Sequence, residues 1–275
     1  MSAVRNGAVT CRCSGTGSRR WDIEIAGKKV VIVGGASGFG RASAELLASR
    51  GAEVAILDRE GSDGKAVAAG LGGPFFAVDV TNFAETEEAL NAAVEALGGL
   101  HVVLTTAGGA VAERTLGKTG PHSLDSFRSI IDLNLVASFN ISRLAAAHMS
   151  TNDPEDEERG VIINTASIAA FEGQIGQVAY TAAKAGIAGM CLTMARDLGS
   201  LGIRVLAIAP SLFATGLTKG IPDEFAVSLT KDAAFPKRLG RPEEFAKLVA
   251  AIVDNPMLNG QCLRLDAGQR FGPKL

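Results

Sequence analysis

The 275-residue sequence predicts a single α/β domain in which helices cover both faces of a seven-stranded parallel sheet. Three observations predict it. Short apolar runs recur along the chain, amphipathic stretches of helical length separate them, and a glycine-rich turn joins the first run to the first helix. Strand, helix and strand in repeated alternation build right-handed crossover units, which give a parallel sheet.

Each element has its own warrant. The runs Val30 to Val33, Val54 to Leu57, Phe75 to Val78, Val102 to Leu104, Val161 to Ile163, Val205 to Ala209 and Cys262 to Leu265 have strand length and are almost uniformly apolar. That fits strands covered on both faces rather than a half-exposed sheet. Between them, Gly40 to Ser49, Phe83 to Leu97, Leu124 to Met149, Val178 to Leu198 and Glu243 to Val253 read as amphipathic helices. The last opens on Pro242 with Glu243 and Glu244 behind it, a first-turn proline and carboxylates that suit a positive helix N-terminus.

Composition narrows the function classes. Hydrophobic residues make up 47% and charged residues 20%, which excludes a disordered chain. The net charge of −2 supplies no field that would draw in nucleic acid or an anionic membrane, so neither is expected as a partner. No uninterrupted apolar run approaches the ~18 residues of a membrane span. The 4 cysteines, Cys11, Cys13, Cys191 and Cys262, are too few for a disulfide framework or a zinc site, which favours a reducing compartment and no metal. Residues 1–25 read as an extension. Arg5, Arg12, Arg19 and Arg20 give it the composition of an organellar transit peptide, but its glycines oppose an amphipathic helix. A cytoplasmic protein is therefore expected, with the mitochondrial matrix as the alternative. Residues 26–275 show no compositional break and read as one domain, with Thr151 to Gly160, which carries Asp153, Glu155, Asp156, Glu157 and Glu158, as a solvated acidic loop and Leu212 to Lys231 as a candidate lid.

Immediately after the first strand comes Gly34-Gly35-Ala36-Ser37-Gly38-Phe39-Gly40. Glycines there allow a tight turn and close backbone approach to a pyrophosphate, and the helix that follows offers unpaired N–H groups to the phosphates. Gly34, Ser37, Gly38, Phe39 and Gly40 are the candidate phosphate cradle of a Rossmann-type fold. Asp58 ends the second strand, where a carboxylate accepts from adenosine ribose hydroxyls and repels a 2′-phosphate, so NAD is expected over NADP. Arg59 beside it reads as solvated. Asp79, ending the third strand, fits either the adenine edge or a cap on the following turn at Asn82.

The chain has a single tyrosine, Tyr180, and Lys184 follows four residues later, so the two share a helix face. Ser167 lies 13 residues upstream, just past a strand end. An ammonium beside a phenol is expected to lower its pKa from ~10, making Tyr180 a usable acid/base. Ser167 can then hydrogen-bond a substrate oxygen, and Lys184 can hold a nicotinamide ribose. Tyrosine and lysine at this spacing also occur by chance. The combination with the glycine turn, Asp58 and a strand-end serine is what points to chemistry.

In that order of motifs the chain resembles the short-chain dehydrogenase/reductase family from about Ala26 onward. The resemblance implies that Asn134, within Ile131-Asp132-Leu133-Asn134-Leu135, completes a catalytic tetrad with Ser167, Tyr180 and Lys184. It also implies cofactor contacts from Val80, Ala107, Gly108, Pro210, Leu212 and Phe213, alongside Tyr180 and Lys184. Arg159 to Ser167, Ala170 to Gln177, Arg238-Leu239-Gly240 and Arg264-Leu265-Asp266 resemble one branch of that family more closely. Members of that branch oxidise short or branched 3-hydroxyacyl-CoA thioesters, and some steroid alcohols, with NAD, as homotetramers. The likeness implies substrate contacts from Gln174 and Gln177, although either glutamine could instead cap the next helix. Phe171, Leu212, Phe213 and Leu217 suit an apolar substrate, or simply pack beneath a loop.

Three positions depart from the family pattern: Val33 replaces a threonine, Thr105-Thr106-Ala107-Gly108 replaces an Asn-Ala-Gly segment, and Ser211 replaces a glycine. The first two remove groups that stitch the central strands to the cofactor loop. A hydroxysteroid dehydrogenase, a carbonyl reductase and a non-catalytic NAD-binding scaffold are the competing readings.

Overall fold

The computed structural model describes residues 25–216 and 228–273. Among them, β1 (Lys29–Val33), β2 (Glu53–Asp58), β3 (Phe75–Ala77), β4 (Val102–Thr105), β5 (Gly160–Thr165), β6 (Ile203–Pro210) and β7 (Cys262–Leu265) form one sheet. All its pairings are parallel, and the strands lie in the order β3, β2, β1, β4, β5, β6, β7. The helices are α1 (Gly38–Ser49), α2 (Gly64–Leu71), α3 (Phe83–Leu97), α4 (Leu124–Ile131), α5 (Ala137–Met149), α6 (Val178–Leu198) and α7 (Pro242–Asp254).

Alternation along the strands divides the core between two layers. Val30, Ile32, Val54 and Ile56 pack with Leu47 of α1 and Phe245 and Val249 of α7. Val31, Val33, Ala55 and Leu57 face the other way, onto Leu90 of α3 and Ile141 and Met149 of α5. Each such aliphatic side chain, fully withdrawn from water, contributes about 2 kcal/mol. Phe39 stacks on Phe245 with ring centroids 4.3 Å apart and meets Phe213 edge-on at 5.1 Å, locking α1 to α7.

Several features differ from the sequence reading. Helix α2 was not expected, because eight residues rich in Gly and Ala carry little periodicity; it ends on Gly72 at a φ of 69°, a left-handed position open to glycine. A small hairpin joins residues 116–121. The expected helix from Leu124 to Met149 is interrupted by a π-helical turn at Asp132–Val136. Leu124–Met149 and Val178–Leu201 match a membrane span in length and mean hydropathy, although polar and charged residues interrupt both. Inside the protein 56% and 39% of their most apolar windows is buried.

The acidic stretch before β5 is not uniformly solvated. Glu158 accepts a two-pronged pair from Arg204, at 2.7 and 3.0 Å, and both side chains are largely buried. The Arg204 guanidinium also donates to the carbonyls of Ile252, Val253, Asn255 and Leu258. It thereby satisfies the orphan acceptors at the C-terminus of α7, which explains why a charge is held beneath the sheet.

Candidate active site

The chain order of the sheet reverses between β1 and β4, and the carboxyl ends of β1, β4, β5 and β6 converge there. Open α/β sheets hold ligands at that crevice. Strand β1 delivers the glycine turn. Gly34 has a φ of 87°, and a Cβ there would lie 2.5 Å from the Ala107 nitrogen; one at Gly40 would lie 2.2 Å from the Gly34 carbonyl oxygen. Backbone therefore packs on backbone and on the Thr106 hydroxyl, and neither glycine position has room for a side chain. Ser37 caps the N-terminus of α1 in extended conformation, and its hydroxyl makes no capping bond. Gly38, at a φ of 49°, opens the helix. This cradle fits a dinucleotide.

Asp58 stands beside it. One carboxylate oxygen accepts from the Ala36 amide at 2.9 Å and the other from the Arg59 amide at 2.7 Å, so the side chain braces the turn and keeps further acceptor capacity. Asp79 resolves toward a turn cap: it accepts from the Thr81 amide at 2.9 Å and the Thr81 hydroxyl at 2.7 Å, which hold its carboxyl below the usual range. Asn82 caps α3 independently. Val80 is buried in the core layer that contains Leu90.

The lost stitching groups are replaced. Thr106, one residue past β4, donates its hydroxyl toward the Val33 carbonyl at 3.1 Å and the Gly34 carbonyl at 3.0 Å. Its amide bonds the Val33 carbonyl too. Thr105, buried opposite Val33 in the sheet, has a hydroxyl without a hydrogen-bond partner. The bridging residue is thus Thr106. No sequence signal beyond a small polar residue past a strand end marks it.

On the other side of the crevice, Ser167 follows β5 and its hydroxyl accepts from the Ala169 amide at 3.1 Å. Tyr180 sits in the first turn of α6 and contacts the Ser167 side chain. Lys184 is buried one turn on, with Nζ 5.6 Å from the Tyr180 ring centroid and donating to the Thr165 carbonyl at 2.8 Å. The expected depression of the phenol pKa is not found. Burial pushes Tyr180 up, and Ser167 pulls it back only in part. Burial likewise pushes Lys184 down to about 8. Withdrawal from water disfavours both charged forms.

Asn134 lies in the π turn, fully buried. Its amide donates to the Ile130 carbonyl at 3.0 Å, within the widened turn, and to the Gly109 carbonyl at 2.9 Å. Its oxygen accepts from the Gly109 amide at 3.3 Å. A Cβ on Gly108 would lie 2.7 Å from that oxygen and 3.5 Å from Lys184 Nζ, so Gly108, Asn134 and Lys184 meet at one point. Ala107 is held by its amide on the Val33 carbonyl, at 3.1 Å.

Some candidates are placed differently. The Phe39 ring packs on both Phe213 and Phe245, so the side chains of Phe39 and Phe213 belong to the core contact between α1 and α7. Pro210 ends β6 and Leu212 is half-buried beyond it. Gln174 is buried with its amide donating to the Gly272 carbonyl at 3.2 Å, and Gln177 accepts from the Gln174 amide at 3.2 Å, so both glutamines brace the loop before α6. Phe171 is exposed, with the Arg264 guanidinium 5.4 Å above its ring. Leu217 and most of the candidate lid lie outside the described residues.

A dinucleotide cradle facing a buried lysine, a tyrosine and a serine defines a nicotinamide-dependent oxidoreductase, NAD or NADP being its cofactor class. Residues 28–225 match the short chain dehydrogenase family, and the chain belongs to it. It is 47% identical over 254 residues to 3-hydroxyacyl-CoA dehydrogenase type-2 of Bos taurus, covering 90% of this chain and 97% of the relative. The protein of the same name from Drosophila melanogaster is 46% identical over 248 residues, covering 88% and 97%. Among solved structures, 3-hydroxyacyl-CoA dehydrogenase type-2 from Mycobacterium avium superposes with a TM-score of 0.86 at 41% identity, covering 90% of this chain and 98% of that one.

Proposed function

We propose that the protein interconverts a short or branched 3-hydroxyacyl-CoA and the corresponding 3-ketoacyl-CoA, with NAD as cofactor. The observation that carries the reading is the contact between Ser167 and Tyr180, one helical turn from the buried Lys184. The names of the relatives support the acyl-CoA substrate. Asp58, a carboxylate at the end of β2, supports NAD over NADP by charge.

NAD, when bound, supplies the hydride acceptor. The glycine turn and Asp58 would hold its adenosine half, with Lys184 on the nicotinamide ribose. Ser167 donates a hydrogen bond to the substrate oxygen and fixes it beside Tyr180. In the reductive direction Tyr180 delivers its phenolic proton to that oxygen. In the oxidative direction the deprotonated Tyr180 takes the alcohol proton. Lys184 and Asn134, fixed on the Thr165 and Gly109 carbonyls, lie along the route by which the proton reaches solvent. Because burial raises the Tyr180 pKa, the phenol is protonated at neutral pH. Ketone reduction is therefore served near neutrality, and alcohol oxidation rises with pH as the phenol ionises. Assembly as a homotetramer follows from the same family likeness and is checked by light scattering.

The test is acetoacetyl-CoA reduction with NADH by wild type and Tyr180→Phe. Turnover is expected to fall by about 10²-fold or more, as for loss of a general acid, with NADH affinity nearly unchanged. Equal turnover in the variant overturns the mechanism, and faster wild-type turnover of a 17β-hydroxysteroid overturns the substrate.

A further inference from the structure

The loop between Ser167 and α6 is fastened by the C-terminal end of the chain. Glu172 accepts from Arg264 at 2.7 Å and from Arg270 at 3.4 Å. Asp266 accepts from the same two arginines, at 2.7 and 3.0 Å. Two carboxylates and two guanidiniums thus alternate around a closed ring, each arginine bridging both acids. A second Glu172 oxygen accepts from the Phe271 amide at 2.9 Å. Burial alone would raise the Glu172 pKa, but its bonds to Arg264 and to that amide hold it below the usual carboxylate range.

From Phe271 the tail runs beside the loop. Gln174 donates to the Gly272 carbonyl at 3.2 Å and the Ile175 amide to the Pro273 carbonyl at 3.0 Å. The tail's other side holds the segment that precedes α7: the Ala234 amide donates to the Ala267 carbonyl at 2.9 Å, and the buried Gln269 side chain to the Leu229 carbonyl at 2.8 Å. One short tail therefore sets the position of two segments flanking the crevice. Its anchor is Glu172, five residues after Ser167.

We propose that Glu172 is a positioning residue for the acyl substrate: through the ring with Arg264, Asp266 and Arg270 it clamps residues 172–177 to the tail and so sets the substrate side of the site. Charge-assisted bonds of this kind, linked in a ring, are stronger than isolated surface pairs. The glycine turn and Asp58 are built by β1, α1 and β2, and the ion pairs of the ring run only among Glu172, Arg264, Asp266 and Arg270. This inference rests on the reading of Ser167 and Tyr180 as the reacting pair.

The experiment compares wild type, Glu172→Gln and Glu172→Asp in two measurements. Amide hydrogen exchange of the 171–177 segment needs no activity, and steady-state kinetics with acetoacetyl-CoA and NADH reads the consequence. In Glu172→Gln, exchange at the Ile175 amide is expected to accelerate and KM for acetoacetyl-CoA to rise, each about tenfold for the loss of a charged hydrogen bond. Turnover and NADH affinity stay within about twofold, and Glu172→Asp recovers part of both effects. Unchanged exchange at Ile175 overturns the clamp, whatever the kinetics. Loss of turnover and NADH affinity at constant KM overturns the positioning role. A wild type inactive on acetoacetyl-CoA defeats the substrate reading instead, and the exchange measurement still decides the clamp.

Discussion

Replacing Lys184 by methionine separates what the lysine contributes to catalysis from what it takes from stability. Its pKa is pushed down from 10.5 to about 8 by burial. A cation with a folded pKa below its unfolded one destabilises the fold most fully below the folded pKa. The penalty then fades as pH rises from that value toward the unfolded one, because the unfolded chain holds more protons in that window. At 1.36 kcal/mol per pKa unit, the difference amounts to about 3 kcal/mol at pH 7, and about 1 kcal/mol of it disappears by pH 9. The lost bond to the Thr165 carbonyl offsets about 1 kcal/mol. Lys184→Met is therefore expected to be inactive yet more resistant to urea than wild type at pH 7, with the gap narrowing by about 1 kcal/mol by pH 9. Subtracting one protein's curve from the other's removes the common titrations, including Cys191 and Cys262, whose thiols burial pushes up to about 12 and about 11. A gap that stays constant from pH 7 to pH 9 refutes the reasoning.

Thr106→Val removes the hydroxyl that serves two carbonyls at the turn, so a loss of about 1 kcal/mol in stability and weaker NADH binding are expected. An NADH titration with wild-type affinity would contradict the bridging role. Gly40→Ala sets a Cβ within van der Waals overlap of the Gly34 carbonyl, with about 1 to 3 kcal/mol of strain and collapse of cofactor binding, checked by thermal unfolding and the same titration. Glu158→Ala strands the buried Arg204 and costs about 3 to 5 kcal/mol in urea unfolding, whereas Glu45→Ala breaks a pair with Arg41, one turn away on α1 and half-exposed on both sides, and costs less than about 1 kcal/mol. Equal effects of the two would show that burial does not distinguish them.

The legible parts of the protein are those written in local pattern. Apolar runs marked the strands because both faces of a parallel sheet are covered, so period and length alone reported them. The glycine turn and the spacing from Tyr180 to Lys184 were readable for the same reason: tight turns and helix faces are properties of neighbouring residues. Features without a local signature escaped. Helix α2 is short and nearly aperiodic, and the π turn that seats Asn134 carries no sequence mark.

What the sequence determined by itself is the inventory and its order: which segments become strands, which glycine turn joins β1 to α1, and which side chains are the candidates for acid/base work. Tertiary structure alone decided the electrostatics and the long-range partners. The Tyr180 pKa rises rather than falls because desolvation depends on what the whole fold packs around the phenol. Thr106 takes over the stitching of the central strands, Arg204 finds Glu158 46 residues away, and Glu172 meets Phe271 across 99 residues. Contacts that distant are made by the closing of the sheet and its layers, and no window of the chain contains both partners.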